Sequence, residues 1–514
     1  MVLSFPRYDL DFLIWVTLAP FMWAVTGAGW RRGLIGGFVA GVILEGWGFS
    51  WVLHAMRTQS GLGFVGGLAM FTPWVLYETI PWMVLGLALG CQRTPAERAG
   101  RRTEPVGALL VLPLWVGIEH YYPRIFAWHV GGAVHDRIWL VQSADMLGSS
   151  GLTAIVFLVN AVLADAFSWI QRTARFPRRS CGVAAGVLVA VNLYGALRLG
   201  QIERALEGAS ELRIGVVQPV TPPEEKQPGN TPLFTKMETL TRALESKGRL
   251  DLVLWPEGAD PVGYLFDDQD RVKRPQIDRV NPTGFENLKT PLVAGTWSAK
   301  PGAGAHYNTA AYIVPGKWPP AGFYHKNIRL LFGEYVPLLE HLPKWFREKI
   351  PNVGTITAGT DCLLFNLPDR SGGPSPNNFR ILICYEGVLD GYARKNAKGA
   401  SFLVNVTEDI WYGDTSHVGQ HVSVLKLRAV ESRISIARAT NVGPSGVIDP
   451  AGRMADATNK FQKEERTFSL RPVRFRSFYA EWGFLFPPVC LAVGVGVPFR
   501  RWVRRRMLAV RRGL

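Results

Sequence analysis

Cysteine is scarce. The 514 residues hold only five (Cys91, Cys181, Cys362, Cys384 and Cys490), and no two form a CxxC or Cys/His cluster. Neither a disulfide framework nor a zinc site is suggested, and no metal or cofactor is expected. Cys362 and Cys384 could be bridged in principle, but a nucleophile would have to stay reduced. Internal repeats and long low-complexity tracts are missing too. The opening MVLSFPRYD has no basic n-region and no cleavage site, so it does not read as a signal peptide.

Acidic residues are nearly absent from four places where basic ones gather. Seventeen arginines fall in GWRRG, QRTPAERAGRRTE, QRTARFPRRS and the tail from Arg500, and those segments contain only Glu97 and Glu104. They account for almost all of the net charge of +16, leaving about +1 elsewhere. A groove for nucleic acid would spread its cations along one face. Short clusters next to apolar runs instead match the positive-inside bias of a membrane protein, so no nucleic-acid partner is expected.

What the chain has in abundance is apolar residues in blocks, with 18 Trp and 27 Phe. Six apolar segments fill the first 200 residues: 10–28, 33–53, 61–91, 106–122, 151–170 and 181–199. A seventh covers 482–499. Most reach the ~20 residues that a bilayer span needs; the fourth is the weakest. The arginine clusters follow spans one, three, five and seven, so those ends are expected to face the cytoplasm. The block between spans six and seven is then extracytoplasmic, and so is the N-terminus. The expected organisation is a helical bundle over 1–205, a catalytic domain over 210–476, and a terminal span with a basic cytoplasmic tail over 479–514. Glu45, Glu78, Glu119 and Asp165 lie in or beside spans. They are expected to make interhelical hydrogen bonds or to reach the interface, because an unpaired charge in lipid is expensive.

The middle block has a different texture. LRIGVVQP, LVLW, PLVAGTW and YNTAAYIV read as strands, and a helix is predicted over about 232–247. This alternation argues a layered α/β domain. Its focal stretch is RILICYE, Arg380 to Glu386. Ile381, Leu382 and Ile383 read as a buried strand. Cys384 stands at the strand's end, before a turn at Gly387, a helical segment and a second buried strand, SFLVNV. A cysteine so placed presents its sulfur at a sheet rim, and the Tyr385 backbone N–H is free to bind an oxyanion. Alone, this stretch would better fit an inert buried thiol, the commoner fate of a lone cysteine. Two further polar residues change the balance. Glu257, in DLVLWPEG, also follows a buried strand. Lys326, in GFYHKNIRLLFGEYVP, sits among Tyr324, Leu330 and Phe332, poor company for a solvated charge.

The ordered set WPE, HK with FGEYVP, and ICYE resembles the nitrilase (carbon–nitrogen hydrolase) superfamily, whose catalytic Glu, Lys and Cys come in that order. Apolar spans on both sides narrow the resemblance to its membrane-embedded branch, the apolipoprotein N-acyltransferases. NVTEDIWYG, GQHVSVLKLRAVESR, RATNVGPSGVIDPAGR, GIEHYYPRIFAWHVGG and LVQSADMLGSSGLT match as well. The resemblance implies a multi-span α-helical membrane domain plus an extracytoplasmic αββα sandwich in a bacterial inner membrane. Glu257 would act as general base, Lys326 and the Tyr385 N–H as oxyanion donors, and Cys384 as nucleophile. Glu334 would orient Lys326 or the base, and Glu386 would buttress the turn behind the thiol. The implied partners are a phospholipid acyl donor and a diacylated apolipoprotein acceptor, with the enzyme a monomer. The rival reading is a membrane-tethered amidase that uses the same three groups to hydrolyse a C–N bond. Apolar stretches such as LLFGEYVPLLEHLPKWF and GYLF would either dip into the membrane interface or pack on the domain.

The chain departs from the family in four places. The first family span is absent, through a late start assignment or a genuine seven-span form. Leu331 and Phe332 stand where a proline commonly precedes FGE. Glu408-Asp409 replaces an Asn-Asp pair, and Gly443-Pro444-Ser445 replaces Gly-Ile-Thr/Ser. The arm TPPEEKQPGN lacks the usual tryptophan. These changes leave Glu257, Lys326 and Cys384 intact and bear on the choice of acceptor and lipid.

Overall fold

The computed structural model describes residues 1–60, 63–92, 107–227, 229–273, 285, 287–336, 341, 343–344, 356–368 and 373–511. The arginine cluster at 93–106 and most of the 337–355 stretch lie outside them. The chain forms two compact units. One comprises Met1–Arg57, Leu62–Leu199 and Ser477–Leu514, the other Thr58–Gly61 and Gly200–Arg476.

The first unit is helical. Its main helices are Trp30–Gly48, Ser50–Ser60, Phe64–Gly90, Gly107–Tyr121, Ala144–Ile170, Arg178–Gly208 and Phe486–Arg511. Among the described residues, Ala144–Ile170 and Arg178–Gly208 are long and apolar enough to cross a bilayer. Trp30–Gly48 with Ser50–Thr58, bent by 53°, makes a third if taken as one span. The seven expected spans are thus met only in part.

The first expected span, 10–28, is not one helix. It breaks into a 3₁₀ turn, Asp11–Trp15, and a seven-residue helix, Ala19–Val25, with Pro20 at its start. The buried Asn160 side chain satisfies the break. It accepts from the Leu18 and Ala19 N–H groups at 2.9 and 3.0 Å and donates to the Ile14 carbonyl at 2.8 Å. Backbone groups freed away from water need such partners, so the interruption is built in.

Glycine sets the closest helix contact. Gly33, Gly37 and Gly41 recur every fourth residue on Trp30–Gly48 and are buried; Gly33 faces Gly86 and Gly90, Gly37 faces Trp82 and Gly86, and Gly41 faces Thr79, all on Phe64–Gly90. A Cβ at Gly33 would strike the Gly86 carbonyl, and one at Gly86 would strike the Gly33 carbonyl. Small residues at this spacing let two backbones touch.

The intramembrane candidates are paired, as expected of them. Arg124 Nη1 lies 3.0 Å from both Glu45 Oε1 and Glu78 Oε2, and Trp82 Nε1 donates to Glu45 at 2.9 Å. Glu119 accepts from the Val130 N–H at 2.8 Å and the Thr153 hydroxyl at 2.7 Å. Asp165 is buried.

The second unit is a four-layer α/β sandwich. Its strands are β1 (Leu212–Gln218), β2 (Leu252–Trp255), β3 (Tyr264–Phe266), β4 (Val272–Lys273), β5 (Leu292–Lys300), β6 (Ala305–Ile313), β7 (Gly322–His325), β8 (Phe365–Pro368), β9 (Pro374–Ile383), β10 (Phe402–Thr407), β11 (Ser435–Thr440), β12 (Gly446–Ile448) and β13 (Glu464–Leu470). One sheet runs β13-β1-β2-β5-β3-β4, with β6 and β7 added beyond β5; the other runs β12-β11-β10-β9-β8. In the first, β1, β2 and β5 are parallel; in the second, β9, β10 and β11 are.

Strands buried on both faces explain the near-continuous apolar runs seen in the sequence. Ile214, Val216, Leu254, Ile381, Ile383, Phe402 and Val404 form the core between the sheets. The Thr231–Ser246 helix covers the outer face of the first sheet through Leu233, Phe234, Met237 and Leu244. The Asp390–Ala397 and Ser416–Ser432 helices cover the second through Ala393, Leu425 and Ala429.

The GYLF segment is internal, which corrects the interfacial option for it. Tyr264 is fully buried, and Phe266 packs edge-on against Phe323 at 5.2 Å. Tyr264 is the buried start of a short strand whose Leu265 and Phe266 are half-buried. In the other apolar stretch Phe332 is exposed, while 337–340, 342 and 345–346 lie outside the described residues.

Gly86→Leu is expected to lower the thermal stability of the detergent-solubilised protein by about 1–3 kcal/mol or more, through overpacking. Gly186→Leu, where a Cβ meets nothing within 4 Å, is expected to leave it unchanged. Equal effects of the two in a thermal melt would contradict the close helix contact.

Candidate active site

The carboxyl ends of the parallel strands carry the site, the usual place in α/β sheets. β2 ends at Trp255, and Pro256-Glu257 turns directly across β5. Gly295 makes this approach possible, because a Cβ there would meet the Pro256 carbonyl and Glu257. β9 ends at Ile383, and Cys384 follows with φ +50°, opening a 3₁₀ turn over Cys384–Gly387. A left-handed conformation at a non-glycine residue costs about 1–2 kcal/mol. It lifts the sulfur off the strand's own path, as a nucleophile elbow does.

Lys326 follows β7 immediately, and its backbone N–H donates to the Asn308 carbonyl on β6 at 2.8 Å. Its side chain is 2% exposed. Nζ lies 2.8 Å from Glu334 Oε1 and 3.9 Å from Glu257 Oε1. Asn308 Nδ2 donates to both carboxylates, at 2.6 Å to Glu257 and 3.1 Å to Glu334. Glu334 is fixed by a tight turn in which its Oε2 accepts the Leu330 N–H at 2.8 Å and its N–H donates to the Leu330 carbonyl at 2.9 Å. Phe332 takes φ +63° to close that turn, so the departure at Leu331-Phe332 still delivers the glutamate.

Cys384 joins the same cluster. Burial pushes its thiol well up, the Glu257 carboxylate adds to that, and Lys326 opposes it. Burial likewise raises Glu257, with Lys326 pulling it down and Glu334 pushing it up. Lys326 moves the other way. Burial works to neutralise it, but Glu334, Glu257 and Cys384 outweigh burial, so the ammonium is held charged. In the empty site the thiol, which burial favours in its protonated form, stands beside one cation and two acidic side chains. Passing the thiol proton to Glu257 leaves the cluster's net charge unchanged, and only such a transfer avoids adding charge in a low dielectric.

Glu386 is fully buried and ties the nucleophile's turn to the lysine's loop. Oε1 accepts the Asn327 and Ile328 N–H groups at 2.7 and 3.0 Å. Oε2 accepts the Ile383 N–H at 2.8 Å and the Tyr324 hydroxyl at 2.7 Å. Burial raises its carboxyl to about 7 against those donors. Tyr385 stands between Cys384 and Glu386 in the 3₁₀ turn. The structure thus brings Glu257, Lys326, Glu334 and Cys384 into one electrostatic cluster and sets Glu386 behind it as a strut. Cys362 and Cys384 are both free thiols.

Three features of the rim had no signal in the sequence. Asn308 bridges the two carboxylates only because strand register puts β6 beside Lys326. Lys226 reaches in from the arm after β1. Beneath the rim, the fully buried Asp409 accepts from Arg438 Nη2 at 2.5 Å and faces His421 Nδ1 at 2.9 Å and His417 Nε2 at 3.3 Å. Burial works to raise Asp409, but His421 and Arg438 outweigh it and hold it well below the carboxylate range. Burial pushes His421 down to about 4, with Asp409 pulling the other way. Asp409, His417 and His421 offer three ligand atoms close enough for a metal ion. Arg438 already neutralises that carboxylate, so the trio fits an ion-pair network better than a divalent cation.

The α/β unit is of the carbon–nitrogen hydrolase class: the profile of that description matches residues 213–471. A second profile, described as the apolipoprotein N-acyltransferase N-terminal domain, matches residues 1–162. The chain is 27% identical over 518 residues to the apolipoprotein N-acyltransferase of Geobacter metallireducens, covering 98% of this chain and 94% of that one. It is 30% identical over 423 residues to that of Sinorhizobium medicae, covering 77% and 76%. Among solved structures it is similar to Saccharomyces cerevisiae Nit3, of the nitrilase superfamily, at 16% identity and a TM-score of 0.37, over 51% of this chain and 90% of that one. The chain belongs to the apolipoprotein N-acyltransferase family.

Glu386→Gln is expected to destabilise the protein by about 1–3 kcal/mol, because the amide group would face the Ile383 N–H with a second donor. Tyr324→Phe should cost only about 1 kcal/mol. A Glu386→Gln melt that overlays the unsubstituted protein would remove the strut role.

Proposed function

We propose that this protein moves an acyl chain from a phospholipid, through a thioester on Cys384, to the α-amino group of a diacylglyceryl-cysteine at the N-terminus of an apolipoprotein. The observation that carries the reading is the half-buried Cys384 thiol on a left-handed strand-end residue, set in one electrostatic cluster with a carboxylate and an ammonium. Family membership supplies the substrate class.

Each step follows from the charges at the rim. Cys384 Sγ attacks the sn-1 ester carbonyl while Glu257 takes the thiol proton. Negative charge then develops on the carbonyl oxygen. The Lys326 ammonium, locked by Glu334, and the Tyr385 N–H are the donors in reach of that charge. Collapse of the tetrahedral species breaks the ester C–O bond, and Glu257 returns its proton to the leaving lysophospholipid. The acceptor amine attacks the thioester, Glu257 takes the amine proton, and the thiolate leaves and is reprotonated. Glu257 thus shuttles one proton in each half-reaction. Glu334 and Asn308 hold the two charged groups in place, and Glu386 holds the turn.

Both substrates are anchored by acyl chains, so the rim has to open toward a membrane surface. The arginine clusters put that surface on the periplasmic side of the inner membrane, with the helical unit multi-pass and the enzyme working as a monomer. The long apolar helices Ala144–Ile170 and Arg178–Gly208 support membrane embedding.

Cys384→Ser is expected to abolish the acyl-enzyme, because a serine hydroxyl is too weakly acidic for Glu257 to ionise; a retained adduct by intact-protein mass spectrometry would reject the nucleophile. Lys326→Met is expected to slow acyl-enzyme formation by about 10²–10³-fold, the scale of losing an oxyanion donor. In a strain depleted of its own enzyme, the gene should yield triacylated lipoprotein. Release of free fatty acid alone would point to a hydrolase.

A further inference from the structure

The arm joining β1 to the Thr231–Ser246 helix is tied down at both ends. The Val220 N–H donates to the Asn441 carbonyl at 3.1 Å. The Asn441 side chain holds Thr221 from both sides, at 2.8 and 2.7 Å. At the far end the Gly229 N–H donates to the Pro261 carbonyl at 2.8 Å. Between these ties Lys226 turns inward, its side chain only 11% exposed. Its Nζ donates to the Glu257 main-chain carbonyl at 3.0 Å and pairs with the Glu408 carboxylate. A rim lysine would ordinarily extend into water.

The cradle that receives it does not depend on Lys226 for its shape. Glu408 Oε1 accepts from Asn441 Nδ2 at 3.1 Å and from the Ile410 N–H at 3.0 Å. Those bonds leave Oε2 for the ammonium. The Glu257 carbonyl is set by the same turn that presents the Glu257 carboxylate. Burial lowers the Lys226 ammonium to about 7, with the Glu257 carboxylate attracting it the other way. One carboxylate oxygen and one main-chain carbonyl, preformed beside the general base, make a receptor for a primary ammonium. It occurs where this chain has a glutamate in place of the family's asparagine.

We propose that this cradle is an ammonium-binding subsite, filled by Lys226 in the empty enzyme and ceded to a primary ammonium of the substrate. The inference rests on the acyl-transfer reading, in which two sources carry that group: the acceptor's α-amino terminus and an ethanolamine headgroup. One amino group replaces another, and Lys226 regains full protonation as it swings out to water on its arm. If the acceptor is the occupant, its ammonium first loses one proton through Glu257 to solvent. The neutral amine then attacks the thioester while the ionised Glu257 takes the second proton and returns it to the leaving thiolate.

The test uses the full chain in mixed micelles, with phosphatidylethanolamine or phosphatidylglycerol of identical acyl chains as donor and a diacylated lipopeptide with a free amine as acceptor. Glu408→Gln removes the charge that holds an ammonium and is expected to weaken its binding about 10- to 100-fold. Lys226→Met removes the internal competitor and is expected to strengthen it. If the acceptor binds there, its KM rises in the first variant and falls in the second with either donor. If the headgroup binds there, the same opposite changes appear in acyl-enzyme formation from phosphatidylethanolamine and not from phosphatidylglycerol. Either pattern supports the subsite. Changes of the same sign in both variants would overturn it and make Lys226 a structural strut, and so would changes that ignore the ammonium in both arms. Should Glu408→Gln fail to fold, the fall or rise of KM or acylation rate in Lys226→Met decides alone. Absence of any acyl adduct on unsubstituted Cys384 would instead defeat the acyl-transfer reading itself.

Discussion

A buried ammonium between two carboxylates is the constraint on which the site depends. Lys326 is drawn out of water, and Glu334 at 2.8 Å keeps it charged there. A lysine in that position without the glutamate would lose its proton, since burial disfavours the charged form by several pKa units. With it, the cation is permanent, and the second carboxylate, Glu257 at 3.9 Å, is left as the group that can exchange protons. Two acids of the same type thereby acquire different roles from their surroundings. Glu334 is committed to the lysine, Asn308 and the Leu330 N–H, while Glu257 has one oxygen on Asn308 and the other, buried Oε2, without a hydrogen-bond partner among the described residues.

The sandwich serves that arrangement by supplying rigid ends. Glu257 comes from the first sheet and Cys384 from the second, so the two sheets must hold their relative height to within a fraction of an ångström. The core between them is continuous, from Ile214 and Leu254 to Ile381 and Val404. At the rim the coupling passes through Glu386, whose four donors come from both the lysine loop and the strand that carries the thiol. Strain at Cys384 is tolerable because this strut over-determines the turn.

Much of this was legible from residue order, and for a physical reason. Strands buried on both faces announce themselves as apolar runs, so a polar residue just after Trp255 or Ile383 stands out against them. Glu334 and Glu386 were legible through the resemblance; a local turn holds Glu334, whereas three of the four donors to Glu386 come from the lysine's strand and loop. Asn308 and Lys226 were not, because their roles arise from register and from a long-range fold of the arm. Asp409 shows the same limit. Its partner Arg438 lies one strand over, and no spacing rule links them. The helical unit was misread where length alone was used. Residues 10–28 are apolar enough for a span, yet Pro20 and a distant Asn160 make a broken pair of turns there. GYLF stayed open between the interface and packing on the domain, since an apolar tetrad bounded by a glycine reads equally as a loop tip and as a short buried strand. The four departures from the family pattern also resolve in part. A left-handed Phe332 replaces the proline's effect on the turn, and Glu408 finds its counter-charge in the arm that lacks a tryptophan.

The most direct test of the account is the ionisation of the Cys384 thiol in the empty enzyme, followed by the pH dependence of its alkylation by iodoacetamide. The account predicts a thiol that is protonated at neutral pH, with reactivity still rising above the ~8.5 at which a free thiol titrates. Reactivity already at its plateau near pH 7 would show a preformed thiolate paired with Lys326 and would contradict proton transfer to Glu257 as the activating step.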